Sequence, residues 1–481
     1  SFRLGYSEIM DITTQQLRNL NLPRKPAANE YKVGLGVLLG LAAILFLFPT
    51  YIAFIFILLA AAMAGLLYFG SEYFPLALWV LLPFSVEVPV AANTNITLPT
   101  ELLIPLLAVI WLVDAIINDR VRYRVNLINV PVIMLMVAMA ASLIYSEYPM
   151  TTVKAVVRDY GYIFAGFYLL PLFLTNERRL LMILVGGLAA HLALALYGFI
   201  TQLLGGIQIY GELAYPFFLE HCIYAQFVAF TFCFVLAYTL DMPSGTLRNF
   251  LWGLCAFFLV VIVLTFVRGS WLSLFPVLLF YLFHYRHKKG SVDIILIAIY
   301  IMLIGGVVVV GTGLGELLTS RALSITDLQQ AANYDRLGRW FSAIAIWQDH
   351  PYFGAGWGTY PDMYFHYIII EDTWSAMLRM GAHNLYLELL AEVGIVGLLI
   401  YLLLIYTFFR EAILLQQRAN SFLLRNYLIA AQGSMLLYLV HGFLNNMGPS
   451  DKISIIFWFL IGSMPSIRLI VEKQQSSASA G

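Results

Sequence analysis

Charged residues are scarce in this chain of 481 residues. Asp, Glu, Lys and Arg together make up 11% of it, whereas hydrophobic residues make up 61%. An ordinary soluble domain is roughly a quarter charged and about half apolar, so these proportions exclude a chain made only of soluble domains. The 27 basic and 27 acidic residues cancel, so the net charge gives no indication of nucleic-acid binding.

Cysteine is also scarce, and nucleotide-binding glycine motifs are absent. Cys222, Cys233 and Cys255 lie in apolar runs without CxxC spacing, which excludes a disulfide framework and a zinc site of the usual spacing. No GxGxxG or GK[ST] spacing occurs, so the glycine-rich stretch 354–358 is not a nucleotide-binding fingerprint. The first thirty or so residues are polar, and we expect the first apolar run to be an uncleaved anchor.

Apolar runs long enough to cross a membrane recur along almost the whole chain. They predict an all-α integral membrane protein with about fourteen transmembrane helices and one large loop. About twelve helices is the alternative, if 33–69 is a hairpin or if 74–91, which contains Glu87 and Pro89, is re-entrant. The runs lie near 33–48, 50–69, 74–91, 100–118, 128–146, 158–175, 179–203, 220–240, 249–267, 270–285, 292–312, 383–409, 424–445 and 453–470.

The distribution of Lys and Arg predicts the orientation, because these residues favour cytoplasmic loops. Most of the 27 basic residues fall on the side that holds both termini, which we therefore place in the cytoplasm. The predicted organisation is a cytoplasmic segment 1–32, transmembrane helices 1–11 within 33–312, a periplasmic loop with short helices at 313–382, transmembrane helices 12–14 within 383–470 and a cytoplasmic tail 471–481.

The basic residues on the predicted outer side are unfavourable there and need an explanation. They are Lys154, Arg158, Arg268, Arg321, Arg336, Arg339, Arg379 and Lys452. Arg268 lies at a tight break between two apolar runs, and Arg158 is predicted to start a helix at the same level. Each is either a ligand for an anionic group or a snorkelling arginine that contacts lipid headgroups.

Two of these arginines lie close together in the large loop. Arg336 and Arg339 are three residues apart, so on a helix they share one face and form a fork for an anion. Asp335 offers an alternative, because it can pair with Arg339 at helical spacing. The sequence leaves both interpretations open.

His383 and Asn384 are the first polar pair of a predicted membrane helix. A neutral imidazole there can accept the proton of a hydroxyl group, although a histidine at a helix start is more often a capping residue. Glu388 and Glu392 are surrounded by apolar residues, so we expect them to face protein interior or trapped water. Glu388 lies about 140° round the helix from His383, which argues against direct pairing, and either glutamate could instead orient His441.

Three groups of motifs, taken in order, resemble a known family. They are Arg268-Gly269-Ser270-Trp271; Arg339-Trp340 with Asp349-His350-Pro351 and Gly354-Ala355-Gly356-Trp357-Gly358; and His383-Asn384-Leu385-Tyr386-Leu387-Glu388 with Gly394 and Gly397. In this order they resemble the core of the O-antigen ligase superfamily, which also contains O-antigen and exopolysaccharide polymerases. The resemblance covers the chain from residue 220 to residue 445.

The resemblance implies a GT-C-like glycosyltransferase of the bacterial inner membrane that works by inversion, without a metal and without a cofactor. It implies a glycan on polyprenyl (undecaprenyl) diphosphate as donor, and a sugar hydroxyl of lipid A core or of a growing polysaccharide as acceptor, among membrane lipids and without nucleic acid. The residues that it implies are His383 and Arg268 as catalytic groups, Arg268, Arg158, Arg336 and Arg339 as ligands of the diphosphate, and Asn384, Glu388 and Tyr386 as supporting groups.

One feature departs from the family pattern. Ligases of this family usually carry a further arginine in the outer segment before the Asn-containing helix, whereas residues 210–221 contain none. Either Arg158, Arg336 or Arg339 takes its place, or the donor is held differently.

The loop is also rich in aromatic residues, and its end resembles an amphipathic helix. The aromatic side chains either stack on sugar rings or form an interfacial belt, and residues 368–380 are expected to lie along the membrane surface. The aromatic residues are Tyr352, Trp357, Tyr360, Tyr364, Tyr367 and Trp374.

Two functions of other classes remain open at this point. A transporter of a solute or a lipid-linked glycan would place ionisable residues near the bilayer midplane, in two related halves. A non-catalytic partner in envelope assembly would tolerate the loss of both Arg268 and His383.

Overall fold

A computed structural model describes residues 73–91, 94–118, 126–205, 213–286, 331–369, 380–446 and 450–479. The predicted spans at 33–48, 50–69 and 292–312 lie outside these residues, as does most of the predicted surface helix at 368–380. The described residues are mostly helical, and six of their helices are long and apolar enough to cross a membrane. The chain is therefore a helical, multi-pass membrane protein.

The first described part, up to residue 205, contains helices and one hairpin. Its elements are α1 Phe74–Leu81, β1 Val86–Ala91, β2 Thr94–Leu98, α2 Thr100–Asn118, α3 Asn129–Ala141, α4 Pro149–Ile163 and α5 Glu177–Gly205. After α4 the chain passes through a π-helical turn, Phe164–Leu169, into a last helical turn that ends at Leu172. Pro149 occupies the start of α4, where a proline suits a helix, so Arg158 lies within this helix and does not start one as predicted.

The prediction of an uninterrupted membrane span over 74–91 was wrong. Helix α1 ends before the antiparallel hairpin of β1 and β2, in which Val86 faces Leu98 and Glu87 faces Thr97. The valines of β1 alternate with Glu87 and Pro89, a period of two that is typical of a strand. Pro89 also lacks the N–H that a helix would need. Whether the segment 74–91 is re-entrant, the alternative given above, stays a prediction.

The second described part supplies the remaining helices. They are α6 His221–Asp241, α7 Thr246–Leu264, α8 Arg268–Tyr285, α9 Ala331–Asp349, α10 Tyr360–Met363, α11 Leu385–Arg418, α12 Phe422–His441 and α13 Asp451–Ser479. Helices α6, α7, α8, α11, α12 and α13 correspond to spans predicted from apolar runs. Helices α9 and α10 form part of the large loop.

Helix α6 is the centre of the described helix packing. It contacts α7, α8 and α12, and it is the most buried of the six long apolar helices. Phe227 and Phe230 of α6 are buried, and the Tyr281 hydroxyl of α8 donates a hydrogen bond to the Cys233 carbonyl at 2.9 Å. The three cysteines are all free.

The two ends of α6 have different surroundings. At its carboxyl end, Asp241 accepts hydrogen bonds from Arg425 and Asn426 of α12, each at 2.7 Å. At its amino end, His221 lines a large cavity. A helix of this length separates its ends by roughly 30 Å, so the cavity lies far from the ion pair at Asp241.

Candidate functional site

The cavity at the amino end of α6 has a volume of about 1890 Å³. Residues from β1, β2, α2, α4, α9 and α11, and from the segments before α6, α8 and α11, contribute to its wall. The predicted site residues that line it are Arg158, Arg268, Arg336, Arg339, His383 and Glu388. The structure therefore brings together side chains that are far apart in the sequence. Asn384 and Tyr386 are not among the lining residues.

Arg268 reaches the cavity from the tight turn between α7 and α8. It is the first residue of α8, and the turn before it places Phe266 at a φ of +54°. Bulky residues rarely adopt this left-handed conformation, and such strain is often found at functional sites. Trp271 stabilises the turn, because its indole Nε1 donates a hydrogen bond to the Ile262 carbonyl at 3.2 Å.

Arg336 and Arg339 of α9 both line the cavity but have different surroundings. The Arg339 guanidinium is buried and donates to the Asp335 carboxylate at 2.5 Å and to the Gly381 carbonyl at 3.3 Å. The pairing of Asp335 with Arg339, foreseen as an alternative, is thus confirmed. Burial lowers the pKa of Arg336, and the positive charge of Arg268 lowers it further. Arg268 and Arg336 therefore form a cationic pair that favours an anion.

His383 lies in the segment immediately before α11. It has a φ of +50°, so both His383 and the turn that carries Arg268 contain a strained residue. Burial, followed by the positive charges of Arg339 and Arg336, lowers the pKa of His383 to about 3. The imidazole is therefore neutral at physiological pH, as proton acceptance requires.

Asn384 and Tyr386 have structural contacts next to this histidine. Asn384 is the N-cap of α11, and its side-chain oxygen accepts hydrogen bonds from the backbone N–H groups of Tyr386 and Leu387, both at 3.1 Å. The Tyr386 hydroxyl donates to the Leu439 carbonyl at 2.9 Å, which ties the start of α11 to the end of α12. Both residues support the segment that holds His383.

Glu388 and Glu392 are buried, as expected, and each holds a neighbouring backbone segment. Glu388 accepts a hydrogen bond from the N–H of Ala382 at 2.8 Å and another from Asn446. Because Ala382 precedes His383, Glu388 fixes the segment that carries the histidine. Glu392 accepts from the N–H of Tyr360 at 3.0 Å.

The glycine-rich turn, residues 350–359, docks on a break in α11. Gly394 has a φ of +66°, which interrupts the helix, and Gly354 of the turn has a φ of +72°. The N–H of Gly356 donates to the Glu392 carbonyl at 3.1 Å, and the N–H of Ile395 donates to the Pro351 carbonyl at 3.0 Å. A Cβ atom on either Gly354 or Gly394 would overlap backbone of the partner segment. The turn therefore fixes the part of α11 that carries Glu388 and Glu392.

The interpretation of the loop aromatics as sugar platforms is wrong for two of them. Tyr360 and Tyr364 are buried in a core with Met363 and Ile346, and their rings stack at a centroid distance of 5.8 Å. Of the six aromatic residues, Trp357 lines the cavity. Trp374 lies outside the described residues.

Asp159 was not foreseen from the sequence. It accepts hydrogen bonds from the Arg158 guanidinium at 2.9 and 3.1 Å and from the Trp357 indole at 2.6 Å. Its position next to Arg158 was the only signal, and the contact with Trp357 joins residues that are distant in the sequence. Asp159 thus links α4 to the glycine-rich turn.

A second unforeseen set surrounds His441 at the end of α12. This buried imidazole contacts Gln226 of α6 through Nδ1 and Asn445 through Nε2, the latter at 2.7 Å. Asn445 also lines the cavity. Sequence reasoning named His441 only as a possible partner of a glutamate, because nothing in the spacing of these residues indicates that they meet.

Glu220 and His221 line the cavity in the outer segment that lacks the family's further arginine. Burial raises the pKa of Glu220, and the negative charge of Glu87 raises it further. The described part of this segment therefore supplies acidic and neutral groups, and the positive charge near Arg268 comes from Arg336.

Residues 253–402 match the family model described as O-antigen ligase. This part of the chain is an O-antigen ligase domain. The family resemblance of the motifs is thus confirmed for this part of the chain. A comparison with curated proteins gives no match. The O-antigen ligase domain includes the cavity residues Arg268, Arg336, Arg339, His383 and Glu388, whereas Arg158, Asp159, Gln226, His441 and Asn445 lie outside it.

Proposed function

We propose that the protein is an inverting glycosyltransferase that acts at the outer face of the bacterial inner membrane. In this proposal the donor is a glycan on undecaprenyl diphosphate, and the acceptor is a sugar hydroxyl of lipid A core or of a growing polysaccharide. The observation that carries it is one cavity in which Arg268, Arg336 and His383 of an O-antigen ligase domain meet.

The donor diphosphate would bind at Arg268 and Arg336. Breaking the bond between the sugar and the phosphate leaves negative charge on the diphosphate, and guanidinium groups neutralise such charge through bidentate hydrogen bonds. Two arginines can do this without a metal ion. An anion bound between them would offset their mutual repulsion, which adds to the affinity.

His383 would position and deprotonate the acceptor hydroxyl. The hydroxyl oxygen attacks the anomeric carbon opposite the phosphate, a new carbon–oxygen bond forms, and the diphosphate leaves with the electron pair of the broken bond. The hydroxyl proton passes to the imidazole. A pKa of about 3 makes His383 a weak base, but the negative charge of a bound diphosphate would offset the charges of the two arginines and raise this pKa. Donor binding therefore makes His383 a stronger base.

The two remaining arginines have different parts in this proposal. Arg339 is committed to Asp335 and Gly381, so it acts mainly by holding the segment before His383. Arg158 is held by Asp159 and offers a further positive group at the cavity wall. We assign it to the glycan-phosphate donor as a secondary contact.

The test is glycan transfer by the purified protein in detergent, with EDTA present. The parent is compared with Arg268→Ala, His383→Ala and the control Arg178→Ala, which removes an exposed arginine outside the cavity. We expect losses of about 10²-fold or more for the first two variants and none for the control. The size of the product separates a polymerase from a ligase.

Two results would contradict the proposal. One is a folded parent that transfers no glycan to either class of acceptor. The other is a pair of folded cavity variants that match the parent. Either result would favour the transporter or the assembly partner.

A further inference from the structure

A polar chain crosses the protein interior behind the cavity. His441 is fully buried, with Gln226 on one side of its ring and Asn445 on the other. Gln226 belongs to α6 and His441 to α12, so the chain joins the two most central helices to the cavity wall. Burying polar groups of this kind costs folding free energy unless their hydrogen bonds are satisfied. When the hydrogen bonds are satisfied, they fix the orientation of the side chains.

The direction of these hydrogen bonds follows from the chemistry of the groups. The Asn445 Nδ2 is an amide nitrogen and can only donate, so the Nε2 of His441, 2.7 Å away, must accept. A neutral imidazole that accepts through Nε2 carries its proton on Nδ1. That proton is donated to the Oε1 of Gln226. His441 is therefore held as the neutral Nδ1–H tautomer, and the amide of Asn445 is oriented with it.

The Oδ1 of Asn445 remains available for His383. Asn445 lines the same cavity as His383, and its side chain raises the pKa of His383. This effect opposes the burial and the arginine charges that lower it. Among the described residues, neither the buried Oδ1 of Asn445 nor the buried Nδ1 of His383 has a partner within hydrogen-bond distance, so the two atoms are matched donor and acceptor candidates in one cavity.

The start of α8 packs against the polar side chains of His441 and Asn445. A Cβ atom on Gly269 would lie 2.8 Å from the Asn445 Nδ2 and 2.8 Å from the Cδ2 of His441. Glycine at this position therefore allows the turn that carries Arg268 to approach the residues next to His383. The polar chain thus contacts both halves of the site.

We propose that Gln226, His441 and Asn445 form a positioning chain for His383. In this chain the Asn445 Oδ1 accepts the N–H of one His383 ring nitrogen, and the other ring nitrogen stays unprotonated toward the acceptor hydroxyl. The three residues act through His383 and do not touch the substrates. This inference deepens the proposed function and rests on it. The tautomers of His441 and His383 are properties of the protein itself and can be tested without measuring glycan transfer.

The tautomers can be measured by solid-state NMR on the parent protein labelled with ¹⁵N in its histidines and in its side-chain amides. The His441 signal is identified by through-space transfer to the amide of Asn445. We expect neutral His441 with its proton on Nδ1, and neutral His383 in one tautomer that contacts the same amide. His441 protonated on Nε2, or no transfer between Asn445 and His383, would overturn the inference without any variant having to fold.

The kinetic test uses Asn445→Ala in two backgrounds. We expect a fall in kcat of about tenfold to a hundredfold, with little change in the KM for the donor, because alignment is lost and donor binding is not. In the His383→Ala background the same change should have almost no effect. Equal losses in both backgrounds would show that Asn445 acts independently of His383 and would overturn the inference.

A matched control separates positioning from general loss of packing. Gln432→Leu removes a buried amide from the same helix as His441, where Gln432 donates to Gln416 at 2.7 Å. We expect this variant to change kcat far less than Asn445→Ala at equal thermal stability, and a similar fall in kcat would contradict positioning. An inactive parent would overturn the proposed function, and the NMR result would still decide the tautomers.

Discussion

His383 owes its properties to its neighbours. Asn384 begins α11 directly after it, Glu388 holds Ala382 directly before it, and the charges of Arg336 and Arg339 act on its ring. A histidine is ordinarily half protonated near pH 6.5. In this environment it stays neutral to far lower pH.

This low pKa predicts how stability depends on pH. Between about pH 6.5 and the folded-state pKa of about 3, the unfolded chain binds a proton at residue 383 that the folded protein does not. Stability therefore falls as the pH is lowered through this range. We expect His383→Asn to lose less stability than the parent between pH 7 and pH 4.5, by up to about 2 kcal/mol. Thermal unfolding in detergent at both pH values measures this, and equal losses would contradict it.

Residue types and motif order predicted part of the site. Arg268, His383 and Glu388 stood out because each is a polar residue at an apolar boundary. The spacing of Asp335 and Arg339 allowed two outcomes, since a residue four positions away on a helix can always pair. Asp159 and Asn445 were not foreseen, because their roles depend on contacts with residues that are distant in the sequence.

The break in α11 is the element on which the site depends. The glycine-rich turn hydrogen-bonds to the backbone on both sides of Gly394, and this contact places the first turns of α11 beside the cavity. Gly354 lies against the backbone of Glu392 and Val393, and Gly394 lies against the backbone of Tyr352 and Phe353, so neither position has room for a side chain.

Substitution of these glycines should therefore uncouple the turn from α11. We expect Gly354→Ala and Gly394→Ala each to destabilise the protein by more than about 1 kcal/mol. The free-energy cost of an alanine at a positive φ adds to the cost of the overlap between its Cβ atom and the neighbouring backbone. Gly253→Ala is the matched control, since a Cβ atom there meets nothing within 4 Å. Thermal unfolding and glycan transfer are both measured, and glycine variants as stable and active as the control would contradict this account.

Hydropathy predicted the elements well where a helix simply crosses the membrane. Helices α6, α7, α8, α11, α12 and α13 all lie at predicted spans. Hydropathy did not predict the strands β1 and β2, because the alternating pattern of β1 lies within a longer apolar run. Hydropathy also gave no sign of the break at Gly394, because the residues next to that glycine are apolar and the cause is a tertiary contact.

Basic residues of the described part of the chain lie at both ends of α6. At the cavity end lie Lys154, Arg158, Arg268, Arg336 and Arg339, and Lys452 contacts Phe217 just before α6. At the other end Arg425 pairs with Asp241. The residues at the cavity end belong to the predicted outer set, and Arg425 belongs to the predicted cytoplasmic set. Of the predicted outer set, Arg321 and Arg379 lie outside the described residues.

We therefore propose that the cavity end faces the periplasm. In a variant without the native cysteines, Tyr352→Cys should react with a membrane-impermeant maleimide added to intact spheroplasts, because Tyr352 is exposed in the glycine-rich turn. Asn420→Cys, in the exposed connection between α11 and α12, should react only after permeabilisation. The opposite pattern would invert the orientation and contradict the proposed periplasmic reaction.

Sequence could not predict the cavity as a whole. Its wall combines the O-antigen ligase domain with residues from β1, β2, α2 and α4, which lie before the matched stretch. Those elements carry no motif, and their positions result from packing alone. The family resemblance therefore identified the chemical groups, and the fold supplied the space around them.

Binding of undecaprenyl diphosphate to the purified protein tests the central claim most directly. Native mass spectrometry in EDTA would compare the parent with Arg268→Ala, Arg336→Ala and the control Arg178→Ala. The account predicts that each cavity variant binds at least about tenfold more weakly, since each loses a charge-assisted hydrogen-bonding group, and that the control binds as the parent does. Equal binding by all four folded proteins would contradict the assignment of the diphosphate to Arg268 and Arg336.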